Sequence, residues 1–237
     1  MKPTQKIDAA RTPDGGVMEL LLHDGNYRIT VDRQLLMTSK SHESELELAR
    51  LGCSRLTVNR NAVVLIGGLG MGYTLRAALD LLPPEAQVVV AELMPEVVKW
   101  NEQYFGELNG HPLKDPRVTL ETQDVMASLR RSPRPYDAIL LDVDNGPNAL
   151  TTARNNQLYC RNGIRTLVEA LVNRGCLAIW SASVDSGFSR AIQAEGFHVR
   201  WYRVPSHKSA KSLNRCIWMI SRDIRSLPPV PEKIEPV

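Results

Sequence analysis

A run of four apolar residues at 63–66 leads directly into a glycine-rich turn at 67–72. The glycines are Gly67, Gly68, Gly70 and Gly72, and a helical pattern follows at 73–82. This order is typical of a buried strand that feeds a turn at the N-terminus of a helix. Glycine has no Cβ, so the backbone of such a turn can approach a bound ligand closely. We therefore predict that these four glycines belong to a ligand-binding loop.

The rest of the chain alternates between strand-like and helix-like segments. We predict strands at 63–67, 87–92, 118–122, 137–142, 175–181, 197–204 and 215–221, with helices at 72–82, 95–104, 124–131, 157–173 and 186–195. Such alternation predicts an α/β fold with a mostly parallel, doubly wound, seven-stranded Rossmann-like sheet that is covered on both faces. Only a short loop separates the last two strands, so we expect the final strand to run antiparallel.

The segments before and after this region have a different character. We predict a disordered N-terminus at 1–16, a small β-hairpin followed by a helix at 17–56, a nucleotide-binding transferase domain at 57–223 and a proline-rich tail at 224–237. The two arms of the hairpin are 17–22 and 27–37, around a turn at 23–26. An exposed hairpin edge could pair between subunits, so a homodimer is possible.

Composition excludes several classes of function. The 237 residues are 43% hydrophobic and 23% charged, and a net charge of +3 is too small to indicate a nucleic-acid partner. No apolar run approaches the roughly 20 residues of a membrane span. The polar N-terminus does not resemble a signal peptide. The four cysteines form no CxxC pair, which favours reduced thiols and a cytoplasmic location.

Acidic residues follow three of the predicted strands, at the edge where a parallel sheet binds its ligands. Glu92 closes the second strand, where an acid can hold ribose hydroxyls, and Asp124 closes the third, near the expected adenine position. Each could instead serve a helix N-terminus, Glu92 through the dipole and Asp124 as an N-cap. Asp142 and Asp144 follow the fourth strand and favour an amine ligand or general-base catalysis. Too few ligands lie nearby for a metal site.

Four segments together resemble the spermidine synthase (polyamine aminopropyltransferase) family. They lie at 66–76, 91–98, 115–118 and 136–142, and their order and spacing agree with the family over about 17–222. The resemblance implies the class I S-adenosylmethionine-dependent methyltransferase fold. It also implies transfer of an aminopropyl group from decarboxylated S-adenosylmethionine to a diamine. Glu92 would then bind the ribose, Asp124 the adenine amine, and Asp142 the acceptor.

Two motifs depart from that family's pattern. The family's glycine loop carries an aspartate that meets the free amine of the co-substrate, whereas the loop at 67–72 has no acid. The acids Asp142 and Asp144 are spaced by two residues instead of three, and Ser41 replaces the tyrosine before His42. A loop without an acid would tolerate the carboxylate of intact S-adenosylmethionine better. A methyltransferase that acts on a small molecule is therefore the alternative function, and a non-catalytic binding protein is a third.

Overall fold

Two β-sheets organise the chain, for which the computed structural model describes residues 3–143, 158–208, 213 and 215–229. The first is an antiparallel sheet of four consecutive strands, each paired with the next. Its strands are β1 (Gln5–Arg11), β2 (Val17–His23), β3 (Asn26–Val31) and β4 (Gln34–Thr38). We call it the N-terminal sheet.

The second sheet has seven strands in the order β10-β11-β9-β8-β5-β6-β7. Its strands are β5 (Val63–Gly67), β6 (Gln87–Ala91), β7 (Val118–Glu121), β8 (Tyr136–Leu141), β9 (Leu171–Ser181), β10 (His198–Val204) and β11 (Arg215–Ser221). Strands β5 to β9 pair in parallel, and β11 runs antiparallel to both of its neighbours. The predicted Rossmann-like sheet with an antiparallel last strand is confirmed.

The helices connect these strands and cover both faces of the second sheet. They are α1 (Glu43–Gly52), α2 (Tyr73–Leu81), α3 (Pro95–Trp100), α4 (Gly106–Asn109), α5 (Val125–Arg131), α6 (Arg161–Glu169) and α7 (Ser186–Ala194). One turn of π-helix, Asn101–Phe105, joins α3 to α4. Among the described residues, no helix combines the length and apolar character that crossing a membrane requires.

The central strand β5 shows why the sequence pattern in this region is continuous rather than alternating. Val64 and Ile66 belong to the apolar cluster on one face of the sheet, and Val63 and Leu65 belong to the cluster on the other. All four are buried. A strand that is buried on both faces needs an apolar residue at every position.

The N-terminus differs from the prediction. The prediction of a disordered segment at 1–16 is wrong for Gln5–Arg11, which forms β1 and pairs with β2. Asp8 fixes this strand to the second sheet's helices, because its carboxylate accepts hydrogen bonds from the indole of Trp100 at 2.9 Å and from Lys99 at 3.1 Å. These bonds lower the pKa of Asp8 to about 2. The strand depends on contacts about 90 residues away, which local sequence patterns do not reveal.

The predicted hairpin is part of a larger structure. Its second arm, 27–37, is divided by a tight turn at Asp32 and Arg33, whose φ angles are 48° and 67°. The arm therefore becomes two strands, β3 and β4. Neither residue is glycine, so the turn lacks the sequence signal that marks the first turn at Asp24 and Gly25. The predicted domain boundaries at 57 and 223 stay predictions.

Candidate functional site

A cavity lies where the carboxyl ends of β5, β6, β7 and β8 meet the N-terminal sheet. It contains about 800 Å³ of empty space, part of which is open to solvent. The polar lining residues Glu92, Gln123, Asp124 and Asp142 come from the second sheet, and Thr12 comes from the segment after β1. The N-terminal sheet contributes an apolar roof, which comprises Met18, Ile29, Leu36 and Met37. The position agrees with the edge of the sheet at which ligands of this architecture bind.

The glycine loop, residues 67–72, is fixed by packing against the core and by hydrogen bonds from two asparagines. Leu69 and Met71 are buried in the apolar cluster, which explains why apolar residues alternate with glycines in the loop. Asn101 donates a hydrogen bond of 2.7 Å to the carbonyl of Gly70, and Asn109 donates one of 2.6 Å to the carbonyl of Met71. These bonds fix the loop's carbonyls on the side of the π-helical turn and α4. The sequence pattern predicted a role for neither asparagine.

The four predicted glycines have different roles. Gly68 and Gly70 line the cavity. Gly67 ends β5, where a Cβ would lie 2.7 Å from the side chain of Val125, so this glycine lets α5 pack against the strand. Gly72 has a φ of +81° and precedes α2, facing Asn101 and Asn109 rather than the cavity. Gly68 serves packing as well, because a Cβ there would lie 2.3 Å from the carbonyl oxygen of Asp142.

Glu92 lines the cavity just after β6 and is only 7% exposed. Its two carboxylate oxygens accept backbone hydrogen bonds of 2.8 Å, one from Leu69 in the glycine loop and one from Met94. These bonds hold the carboxylate in one orientation beside the loop. A carboxylate oxygen has more than one lone pair, so a fixed Glu92 can still accept hydrogen bonds from a ligand's hydroxyl groups.

Asp124 also lines the cavity, and it caps α5 through a hydrogen bond of 2.8 Å from the backbone of Met126 to Oδ1. Both interpretations of this residue in the sequence are therefore compatible with its position. The cap fixes the side chain next to Gln123 at the edge of the cavity. Its role toward a ligand stays a prediction.

Asp142 follows β8 directly and lines the cavity. The hydroxyl of Thr74, in the first turn of α2, donates a hydrogen bond of 2.6 Å to Oδ2. Burial raises the pKa of Asp142 to about 6, although the bond from Thr74 acts in the opposite direction. A carboxylate with a raised pKa is a stronger base than an ordinary one. Asp144, the other predicted acid, lies outside the described residues.

A further buried acid that the sequence pattern did not indicate, Glu45, lies in α1. This side chain is only 6% exposed, and burial and the neighbouring Asp142 carboxylate raise its pKa to about 8. The ring of His42, just before α1, stacks on Tyr73 with 4.1 Å between centroids. The helical spacing of Leu48 and Leu51 would have placed Glu45 near the buried face, but only the fold shows that the charge of Asp142 acts on its pKa.

The charge of the cavity lining indicates what kind of ligand it can hold. Three lining residues are acids, namely Glu92, Asp124 and Asp142, and none of the described lining residues is Lys, Arg or His. Such a site favours a cationic ligand. Among the described residues, no group of three or more His, Cys, Asp or Glu side chains could hold a metal ion.

Comparison with known proteins gives consistent results. A polyamine aminopropyltransferase from Corynebacterium efficiens is 33% identical over 128 residues, which are 52% of this chain and 23% of that protein. Polyamine aminopropyltransferase 2 from Pseudomonas aeruginosa is 31% identical over 161 residues, which are 62% of this chain and 44% of that protein. The chain thus spans less than half the length of these curated relatives.

Solved structures show the same fold. Spermidine synthase from Thermotoga maritima superposes with a TM-score of 0.70 at 18% identity, over 94% of this chain and 76% of that one. A spermidine synthase in complex with the transition state analogue AdoDATO gives a TM-score of 0.69 at 17% identity, over the same shares of the two chains. The sequence family described as the spermine/spermidine synthase domain matches residues 46–184, which is more than half of the chain. The chain therefore belongs to the spermine/spermidine synthase domain family.

Proposed function

We propose that the protein is an aminopropyltransferase that uses decarboxylated S-adenosylmethionine and a small amine acceptor. The observation that carries this proposal is the acidic cavity lining without a described basic residue. Decarboxylated S-adenosylmethionine has a sulfonium and an ammonium group, whereas the intact molecule adds a carboxylate that the lining acids would repel. The curated relatives named polyamine aminopropyltransferase support the same function.

The residues around the cavity suit the parts of such a co-substrate. Glu92, fixed by two backbone hydrogen bonds, is placed to accept the ribose hydroxyls. Asp124 and Gln123 lie where an adenine amine could donate. The absence of a Cβ at Gly68 lets the loop approach the backbone of Asp142, and its absence at Gly70 leaves room for the side chain of Met37.

The sulfonium supplies the leaving group, and the protein positions the acceptor. As the acceptor's nitrogen attacks the carbon next to the sulfonium, a C–N bond forms, the C–S bond breaks and methylthioadenosine leaves. The attacking nitrogen must lose a proton, and Asp142 is the described cavity acid best suited to take it because burial raises its pKa. Asp144 is proposed to help orient the acceptor. The remaining contribution is alignment of the two reactants.

Calorimetric titration with both forms of S-adenosylmethionine tests this proposal. We expect the decarboxylated form to bind at least about tenfold more tightly, equivalent to about 1.4 kcal/mol. Incubation with a diamine should then release methylthioadenosine. Asp142→Asn should abolish that release while methylthioadenosine still binds, whereas Asp80→Asn, at an exposed ion pair on α2, should change neither.

The glycine loop favours one alternative, methyl transfer from intact S-adenosylmethionine. The loop lacks an acid, and its Leu69 and Met71 are buried in the core. Equal or tighter binding of the intact form, together with release of S-adenosylhomocysteine, would establish this alternative and overturn aminopropyl transfer. A cytoplasmic location and a homodimer stay predictions.

A further inference from the structure

Met37 lies beside a break in the strand pairing of the N-terminal sheet. In the register of β3 and β4, Met37 lies opposite Ile29. The next pair is Leu35 and Thr30, so the pairing skips Leu36. Such a bulge changes the directions of the side chains around it. Leu36 and Met37 would point to opposite faces in a regular strand, but both line the cavity, whereas Leu35 is 55% exposed.

The side chain of Met37 ends on the glycine loop. A Cβ at Gly70 would lie 3.0 Å from Sδ of Met37 and 3.2 Å from its Cε. The thioether therefore occupies the space that a side chain at position 70 would take, in contact with the loop. No part of a ligand fits between two groups that are this close. The cavity is therefore closed at this point, between the N-terminal sheet and the second sheet.

Hydrogen bonds fix the backbone on both sides of this contact. Asn101 donates one to the carbonyl of Gly70. On the other side, the carbonyl of Ser39, two residues after Met37, accepts one of 3.3 Å from the hydroxyl of Tyr73 in α2. The contact is therefore a wall of the cavity. Only the unbranched side chain of Met37, which has several rotatable bonds, can adapt its shape there.

The order of the strands gives the order in which the parts of the proposed co-substrate would lie. The neighbouring strands β7, β6, β5 and β8 lead in turn to Asp124, Glu92, the glycine loop and Asp142. With the adenine at Asp124 and the ribose at Glu92, the sulfur comes next, at the glycine loop. The hydrogen bond from the backbone of Leu69 to Glu92 confirms that the loop lies directly beside this carboxylate. The chain on the sulfur would then meet Gly70 and the side chain that covers it.

We propose that Met37, in contact with Gly70, forms the end wall for the chain carried by the sulfur of the co-substrate and sets the longest chain that the site accepts. The inference rests on the proposed function and names a specificity-determining residue of the same site. A chain that is too long would press against the thioether. The thioether offers a polar group neither space nor a hydrogen-bond donor.

A series of neutral probes measures this length without turnover. The probes are 5′-alkylthioadenosines with methyl, propyl, butyl, pentyl and hexyl chains, and calorimetry gives their affinities. We define the length limit as the chain at which affinity falls by at least about tenfold. Met37→Ala removes the side chain beyond Cβ, so it should raise the limit by about two or three carbons, whereas Met37→Leu should keep it within about one carbon. A wild type without a limit, or an unchanged limit in Met37→Ala, would overturn the proposal.

Gly70→Ala tests the same contact from the other side. The added Cβ crowds the thioether, and a φ of +52° at this position adds backbone strain. The variant should bind the propyl probe at least about tenfold more weakly, and adding Met37→Ala should restore most of that affinity. Gly25→Ala controls for the strain alone, because its φ is +74° and a Cβ there meets nothing within 4 Å. A double variant that binds no better than Gly70→Ala would contradict the proposed wall.

Leu35→Ala is the matched control for Met37→Ala, because Leu35 lies two residues away on β4 with an exposed side chain. This variant should keep the length limit of the wild type. The outcomes also separate the two proposals. Failure of every probe, methylthioadenosine included, to bind would refute the proposed function. Binding of methylthioadenosine with the same length limit in Met37→Ala would refute only the role of Met37.

Discussion

Replacement of Gly68 by alanine tests the close approach of the glycine loop to the end of β8. Gly68 has a φ of +87°, and a Cβ there would lie 2.3 Å from the carbonyl oxygen of Asp142 and 2.9 Å from its carbonyl carbon. Both are backbone atoms that cannot rotate away, so the end of β8 must move by about 1 Å to restore ordinary contact. The positive φ costs about 1–2 kcal/mol, and displacing packed backbone adds about 1–3 kcal/mol. We therefore expect a loss of about 2–5 kcal/mol in the free energy of unfolding.

Urea unfolding measures this loss, and Gly196→Ala separates its two causes. Gly196 has a φ of +83°, but a Cβ there meets nothing within 4 Å, so only the conformational cost applies. Because the displacement also moves the Asp142 carboxylate, Gly68→Ala should lower the rate of methylthioadenosine release by about 100-fold. Equal losses of stability in the two variants would refute the reasoning, since the overlap with Asp142 would then contribute nothing.

Three further predictions follow from the site. Glu92→Gln leaves one of two backbone donors without an acceptor, so the free energy of unfolding should fall by about 1–3 kcal/mol. Calorimetry should also show weaker methylthioadenosine binding in this variant. Unchanged affinity would remove Glu92 from the ribose site. The raised pKa values of Glu45 and Asp142 mean that the folded protein binds more protons than the unfolded chain between the ordinary glutamate pKa of 4.5 and about 8. Stability without ligand should therefore fall as pH rises through that interval, by about 1.4 kcal/mol for each unit of pKa shift, and urea unfolding should show a flatter profile in Glu45→Gln. Asn101→Ala removes the 2.7 Å hydrogen bond to the carbonyl of Gly70, so the affinity for methylthioadenosine should fall about tenfold. Circular dichroism should show that the secondary structure persists. Full affinity would show that the glycine loop does not need this hydrogen bond.

The second sheet was predictable because its signals are local. Continuous apolar runs mark β5 and β8, which are buried on both faces, and glycines mark the turn that follows β5. The N-terminal sheet was less predictable. Strand β1 has no apolar run and depends on the bonds of Asp8 to Lys99 and Trp100.

The residues of the candidate site also differ in how far the sequence could predict them. Glu92 and Asp142 could be predicted because parallel strands bring their carboxyl ends to one edge, wherever the residues stand in the chain. Glu45 could not be predicted, because it lies on a helix outside that edge and only tertiary packing buries it. The supporting role of Asn101 likewise depends on the π-helical turn, which no sequence pattern indicated.

The apolar roof of the cavity has an evolutionary consequence. Met18, Ile29, Leu36 and Met37 come from the N-terminal sheet, whereas the described lining acids come from the second sheet. Exchanges among those four side chains can reshape the space for a substrate without altering the charges that attract it. Under the proposed function, selection can thus adjust which amines fit independently of how strongly cations are attracted, which gives descendants of this chain a simple route to new acceptors.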